Sequence, residues 1–269
     1  MISYAQNAED VVLMRALGDV AGGFYVDIGA WDPMVESVTR AFYEAGWTGL
    51  NVEPQPERAA LFSRLRPKDT NVCAAASDTA GVSTLFVTRH SSLATVEASI
   101  IDSSNPKYTI VTRMQTPTVP IADLLDAHAG DRPIHFMKID VEGHEAAVLR
   151  GANFARHRPF VLLIEATCPT TGAPKWSAWE HIVLSAGYTF TLFDGINRFY
   201  VCKERPDLVP KLSWGANCLD GYITTREAEM LTRIASLERQ LRAATQELAA
   251  MRASLAAGSA PPSPESSLP

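Results

Sequence analysis

Five ionisable side chains crowd one short stretch of this chain: Lys138, Asp140, Glu142, His144 and Glu145. Such crowding is costly unless the groups pair, bind a ligand or shift their pKa values. Acids at a helix start also serve as caps and are favoured by the helix dipole. That accounts for Glu142 and Glu145, but not for Lys138 or His144. An imidazole beside carboxylates is equipped to move a proton near neutral pH. His144 is the favoured base, with Asp140 or Glu142 orienting it. Glu165, which ends the apolar run 160–164, is a further candidate, and Lys138 adds a positive charge. Asp140, Glu142 and Glu165 also suit a magnesium-type ion, since carboxylates favour hard cations. The metal-free reading is preferred, and no residue is assigned as a metal ligand.

A second constellation lies upstream. The apolar run Phe24-Tyr25-Val26-Asp27-Ile28 stops at Gly29, followed by Ala30, Trp31, Asp32 and Pro33. This pattern is a buried strand ending in a tight turn where backbone meets a small ligand. Residues 48–52 form the next strand and deliver Glu53, and Pro54 prevents continuation. The spacing from Asp27 to Glu53 is one strand–helix–strand unit, and an acid at that place takes two ribose hydroxyls. The turn holds one glycine, not the GxGxxG that cradles a pyrophosphate. Carboxylates with one close backbone approach, and no phosphate cradle, suit S-adenosylmethionine, which is cationic and carries no phosphate. Asp27, Gly29, Ala30 and Glu53 are its expected contacts. Ser77 and Asp78 are candidates for the adenine amino group, and a turn built on Asp78 and Gly81 explains them equally well.

These residues need elements to position them. Ser3 is a candidate cap for a helix running to Leu17, with the polar cluster Gln6, Asn7, Glu9 and Asp10 as a solvated start or a flap. Val38, Ala41, Phe42 and Ala45 form one helical stripe, and residues 57–65 another helix. Strands are expected at 71–76, which makes Cys73 a strand residue, and at 82–87, 134–139 and 160–164. Residues 108–115 are extended, 119–125 begin a short helix, and a helix reaches Gly151. Trp176, Trp179, Ile182 and Val183 share a helical face. The runs 188–193 and 197–202, split by Asp194-Gly195, read as a closing hairpin that includes Cys202. The fold class is therefore α/β, a Rossmann-like seven-stranded sheet with helices on both faces and a C-terminal helix. In such a sheet Asp27, Glu53, Asp140 and Glu165 converge at the strand C-termini. The polar loops 88–106, with Ser91, Ser92, Ser99, Ser103 and Ser104, and 166–175 are expected to set acceptor specificity.

Composition changes after Tyr222. Ile234, Leu241, Leu248 and Leu255 recur every seven residues, with Leu237, Ala244 and Met251 in companion positions. Three segments follow: a domain over 1–222, a C-terminal helix over 223–257 that forms a coiled coil or folds back, and a disordered Pro/Ser-rich tail over 258–269. In a parallel pair Arg233 would face Glu238 of the second copy, and Glu247 would face Arg252.

The chain has 269 residues, 46% of them hydrophobic, with a formal net charge of −6. No basic stripe suggests nucleic acid. No apolar run approaches the ~20 residues of a membrane helix, and the first residues do not resemble a secretory signal. Cys73, Cys168, Cys202 and Cys218 lack metal-ligand spacing and read as reduced thiols of a cytoplasmic protein.

The stretches SYAQNAED (3–10), VDIGA (26–30), NVEP (51–54) and KIDVEGHE (138–145), with Leu149-Arg150-Gly151 after them, resemble the FkbM family of S-adenosylmethionine-dependent methyltransferases over residues 3–203. The resemblance implies the methyltransferase sheet, O-methylation of a sugar or polyketide hydroxyl, and cofactor contacts at Asp27, Gly29 and Glu53. It also implies a setting beside glycosyltransferases that modify surface polysaccharides. A homodimer or a glycosyltransferase partner through the C-terminal helix is expected. Two other readings stay open: a nicotinamide-dependent oxidoreductase, and a non-catalytic module recruited through that helix.

Overall fold

Strand β1 (Phe24–Ile28) is buried along its whole length, and its side chains alternate between two packed faces. The computed structural model describes residues 1–101, 105–168 and 170–258. The chain divides into two compact units, Met1–Tyr222 and a second from Ile223 onward. In the first unit α1 (Glu9–Leu17) precedes β1, and α2 (Arg40–Glu44) leads into β2 (Thr48–Val52). Next come α3 (Pro56–Leu65), β3 (Thr70–Val72), β4 (Ala75–Ser77), β5 (Gly81–Thr88), β6 (Ile110–Pro120) and α4 (Ile121–His128). Then follow β7 (Phe136–Ile139), α5 (Glu145–Arg150), β8 (Val161–Glu165), α6 (Glu180–Ser185) and the hairpin β9 (Tyr188–Phe193) and β10 (Asn197–Cys202).

The main sheet has seven strands in the order β9-β10-β8-β7-β1-β2-β3. β3, β2, β1, β7 and β8 run parallel, and at the far edge β10 runs antiparallel to both β8 and β9. Strand order reverses between β1 and β7, which opens a crevice above their C-terminal ends. Phe24, Val26, Ile28, Met137, Leu162 and Ile164 share one core with Leu124 and Leu125 of α4, Val148 of α5 and Val183 of α6. Tyr25, Phe136, Val161 and Leu163 share the other with Val12, Leu13 and Leu17 of α1 and Phe42 of α2. Period-two strands between period-3.6 helices therefore give an α/β sheet covered on both faces.

Several local expectations are corrected. Ser3 does not cap α1: the cap position is Ala8, and Ser3 Oγ instead donates to Asp10 Oδ1 at 2.7 Å. The expected strand 71–76 splits in two. Thr70–Val72 stays in the main sheet, whereas Ala75–Ser77 pairs with Thr118–Pro120 in a separate three-stranded sheet. Cys73 lies exposed in the break and is not a strand residue, while Cys202 is buried in β10. The shared stripe from Trp176 to Val183 is also broken. A 3₁₀ turn over Trp176–Ala178 precedes α6, so Trp176 stacks under the Arg198 guanidinium while Trp179 and Val183 enter the core.

The second unit carries α7 (Thr225–Gly258). Ile234, Leu237, Leu241, Leu248, Met251 and Leu255 are all exposed on it. The tail expected to be disordered lies, beyond Gly258, outside the described residues, as do Ser103 and Ser104. No helix among the described residues is long and apolar enough to cross a membrane.

Candidate active site

The crevice is built where two strand ends touch. Gly29, the first residue after β1, donates its N–H to Val52 O, and Asp140 N–H, after β7, donates to Ile28 O. Gly29 has φ +78°, and a Cβ there would lie 1.7 Å from Asp140 O. Only glycine lets the two turns meet this closely.

On the β1–β2 side, carboxylates are almost fully partnered. Glu53 is buried, and its two oxygens accept the N–H groups of Trp31 and Gln55, each at 2.9 Å. Burial raises its pKa, against the pull of those backbone hydrogen bonds. Asp27 is only 1% exposed; its Oδ2 accepts from Thr39 Oγ1 at 3.0 Å, and its Oδ1 lies 3.6 Å from Lys138 Nζ. Arg66, wholly buried, donates to Thr39 Oγ1 and Ser37 Oγ and locks this layer. Asp27 lines neither of the cavities described below. Asp27 supports Thr39 and Lys138 from underneath.

On the β7–β8 side the arrangement is different. Lys138 Nζ donates to Gly29 O at 3.2 Å and pairs with Asp140 Oδ2 at 3.2 Å. Burial opposes its charge, but Asp140 and Asp27 outweigh that and raise its pKa. Glu142 and Gly143 both take positive φ, +54° and +97°. Glu145 pins this turn by accepting the N–H groups of Val141 and Gly143. Its carboxyl is pushed up to about 7, chiefly by burial. Glu142 and Glu165 are also raised well above the usual carboxylate range, first by burial and then by the Asp140 charge. Oε2 of each is sealed from solvent and receives no hydrogen bond.

Two adjoining cavities open here. The first has apolar walls from Val52, Pro54, Ala74, Ala75, Ala76, Leu85 and Val96, with Glu53, Thr95 and His144 among its polar groups. The second is lined by Gln6, Glu9, Ala30, Glu36, Leu93 and Lys138 among others. Gly29, Trp31, Ser92, Asp140 and Glu142 line both. An apolar slot with one ribose-seeking carboxylate fits a nucleoside, and a polar cavity fits a hydrophilic second reactant.

Gly29, Glu53, Asp140, Glu142 and His144 thus meet in the first cavity, and Ala30 and Lys138 join through the second. His144 lines only the first. Its Nε2 is 3.1 Å from Ser77 Oγ, and burial lowers its pKa. Ser77 itself lies behind the wall, and Asp78 pairs with Arg150 at 2.9 Å, so neither lines the cavity. Glu165 stands behind Asp140 and Glu142, with an oxygen within 4.8 Å of theirs.

Sequence reasoning passed over several contributors. Thr95 Oγ1 donates to Glu142 O at 2.8 Å and holds the loop against the turn. Trp31, with φ +51°, lends its N–H to Glu53 and its indole N–H to Ser91 Oγ. Arg58 pairs with Asp32. The polar cluster before α1 did signal Glu9, whose oxygens accept Asn7 N–H and Asn197 Nδ2.

A mostly parallel sheet with a cavity at its switch point is the arrangement of α/β proteins that bind ligands beyond the strand C-termini. Within that class, residues 27–190 match the model of the methyltransferase FkbM domain, and the chain belongs to that family. Among solved structures it is similar to a methyltransferase FkbM from Methylobacillus flagellatus KT, at 15% identity and a TM-score of 0.39, covering 67% of this chain and 43% of that one. It is also similar to a TehB-like SAM-dependent methyltransferase from Corynebacterium glutamicum ATCC 13032 Kitasato, at 7% identity and a TM-score of 0.38, covering 72% and 88%. No curated protein matches the chain.

Proposed function

We propose that the protein is an S-adenosylmethionine-dependent O-methyltransferase, acting on a hydroxyl of a sugar in a glycan or glycosylated natural product. The observation that carries this reading is the pair of adjoining cavities that share Asp140 and Glu142. The adenosine lies in the apolar slot with its ribose on Glu53, and the methionine end passes Gly29 towards Lys138. The acceptor enters from the polar side. Methyl transfer is an in-line displacement, so holding the acceptor oxygen opposite the sulfur supplies much of the acceleration. A sugar hydroxyl is a poor nucleophile at neutral pH, so a nearby group must take its proton. Asp140 and Glu142, which line both cavities, are better placed for this than His144, which lines only the cofactor slot.

The test is calorimetric titration with S-adenosylmethionine, and with NAD as the contrast. The expected result is micromolar binding of the first and none of the second. NAD binding, or indifference of S-adenosylmethionine to Glu53→Gln, would overturn the assignment. The apolar stripe of α7, exposed from Ile234 to Leu255, supports pairing with a second copy. Leu241→Ala with Leu248→Ala should then convert a dimer to a monomer in sedimentation. A cytoplasmic setting fits the four free thiols.

A further inference from the structure

Asp140, Glu142 and Glu165 bring one oxygen each to within 4.8 Å of one another. Three like charges this close repel strongly inside a protein. Lys138 relieves only part of this. It pairs with Asp140, and it is also engaged by Gly29 O and Asp27. Among the described residues, no lysine, arginine or histidine nitrogen is paired with Glu142 or Glu165 within 4.0 Å. The Oε2 atoms of both are closed to solvent and accept no hydrogen bond. Buried acceptors in native proteins nearly always find a donor or an ion, so these two point to a missing positive partner.

The donor set says which partner. All three ligands are carboxylates, with no thiolate or imidazole among them, which selects a hard cation. Oxygens on opposite sides of Mg²⁺ lie about 4.2 Å apart, and those around Ca²⁺ about 4.6–5.2 Å. Three oxygens within 4.8 Å of one another are near enough to reach one ion with small side-chain shifts. Three protein ligands leave the remaining positions open to water or substrate.

We infer that Asp140, Glu142 and Glu165 form a site for one hard divalent cation of the Mg²⁺ or Mn²⁺ kind, set between the two cavities. Glu142 and Asp140 line both cavities, so the ion faces the space where the acceptor enters. A vicinal diol, such as two neighbouring hydroxyls of a sugar ring, completes its coordination. An ion held there would polarise the coordinated hydroxyl. The diol half of this inference rests on the methyl-transfer reading; the ion site does not.

The experiment is titration of the full chain with Mn²⁺, without S-adenosylmethionine, following free Mn²⁺ by electron paramagnetic resonance. Wild type should bind one ion per chain, and Glu165→Gln should bind at least tenfold more weakly. Mn²⁺ should raise the melting temperature of wild type but not that of the variant. Glu142→Gln serves the same comparison should Glu165→Gln not fold. No binding at millimolar Mn²⁺, or equal affinity in wild type and a folded variant, overturns the site. A parallel titration with S-adenosylmethionine separates the two proposals. Cofactor binding without Mn²⁺ binding removes only the ion site, and Mn²⁺ binding without cofactor binding removes only the methyl-transfer reading.

Discussion

The two strand ends that flank the crevice both carry buried acids and treat them differently. Beyond β1 and β2, Glu53 accepts two backbone N–H groups, and Asp27 is held by Thr39 and faces Lys138. Beyond β7 and β8, Glu142 and Glu165 each keep an oxygen that is closed to solvent and without a donor. At the first end Asp27 Oδ1 also lacks a hydrogen bond, but it faces the Lys138 ammonium at 3.6 Å, whereas among the described residues Glu142 and Glu165 have no cation within 4.0 Å. At the second end burial and neighbouring acids raise the pKa of Glu142, Glu145 and Glu165, so these carboxyls favour the proton unless a cation replaces it. Under the proposed function the first side recognises the cofactor and the second is where the chemistry takes place, the kind of site where desolvation accumulates.

The largest expected effect breaks the comparison altogether. Gly29→Ala would drive a methyl group into Asp140 O and force a positive φ on alanine. A loss on the order of 4 kcal/mol or more is expected, with both ends disrupted together. Thermal unfolding reads this; a melting temperature within a degree or two of wild type would show that the strand ends are not rigidly joined.

Next comes Glu9, which asks whether hydrogen bonds alone make a carboxylate comfortable. It is bonded by Asn7 and Asn197, yet burial pushes its carboxyl up from 4.5 to about 7. The folded chain therefore holds this proton over a range in which the unfolded chain releases it. Its stabilising contribution is fully present below pH 4.5 and is lost as pH rises through about 7. Glu9→Gln should remove a decline on the order of 3 kcal/mol between pH 4.5 and 8. Denaturant melts of both proteins across that range measure it, and parallel pH profiles would refute the assignment.

Glu53→Gln sharpens the contrast from the first side. Losing the charge weakens two hydrogen bonds and the ribose contact, so S-adenosylmethionine should bind about 10–100-fold more weakly while the fold persists. The smallest effect is at Thr95, whose hydroxyl ties the loop to Glu142 O. Thr95→Val should cost about 1 kcal/mol and leave cofactor affinity nearly unchanged. A large loss of affinity would instead place Thr95 in the recognition surface.

Much of this architecture follows from short-range pattern. Apolar runs ending in Asp27-Ile28-Gly29 and in Ile139-Asp140, the helical stripes between them, and the terminal hairpin all have the periods their elements require. The Asp27–Glu53 spacing likewise places an acid just beyond the tip of β2. Where the reading of Ser3 and of 71–76 failed, a competing partner outside the expected element won, seven residues on for Ser3 and more than forty for 75–77. Asp10 claimed the serine hydroxyl, and Thr118–Pro120 claimed Ala75–Ser77.

The amino-acid order alone determined which residues end the strands, because alternation and glycine stops are local properties of the chain. Tertiary packing decided which strand ends face one another and what each carboxylate finds there. The order reversal between β1 and β7 brings Asp140 against Gly29 across more than a hundred residues, and β8 then sets Glu165 behind Glu142. It also seals Asp27 beneath Lys138 and removes it from the cavity surface. Charge, burial and distance are joint properties of residues from separate elements, so only the assembled sheet defines them.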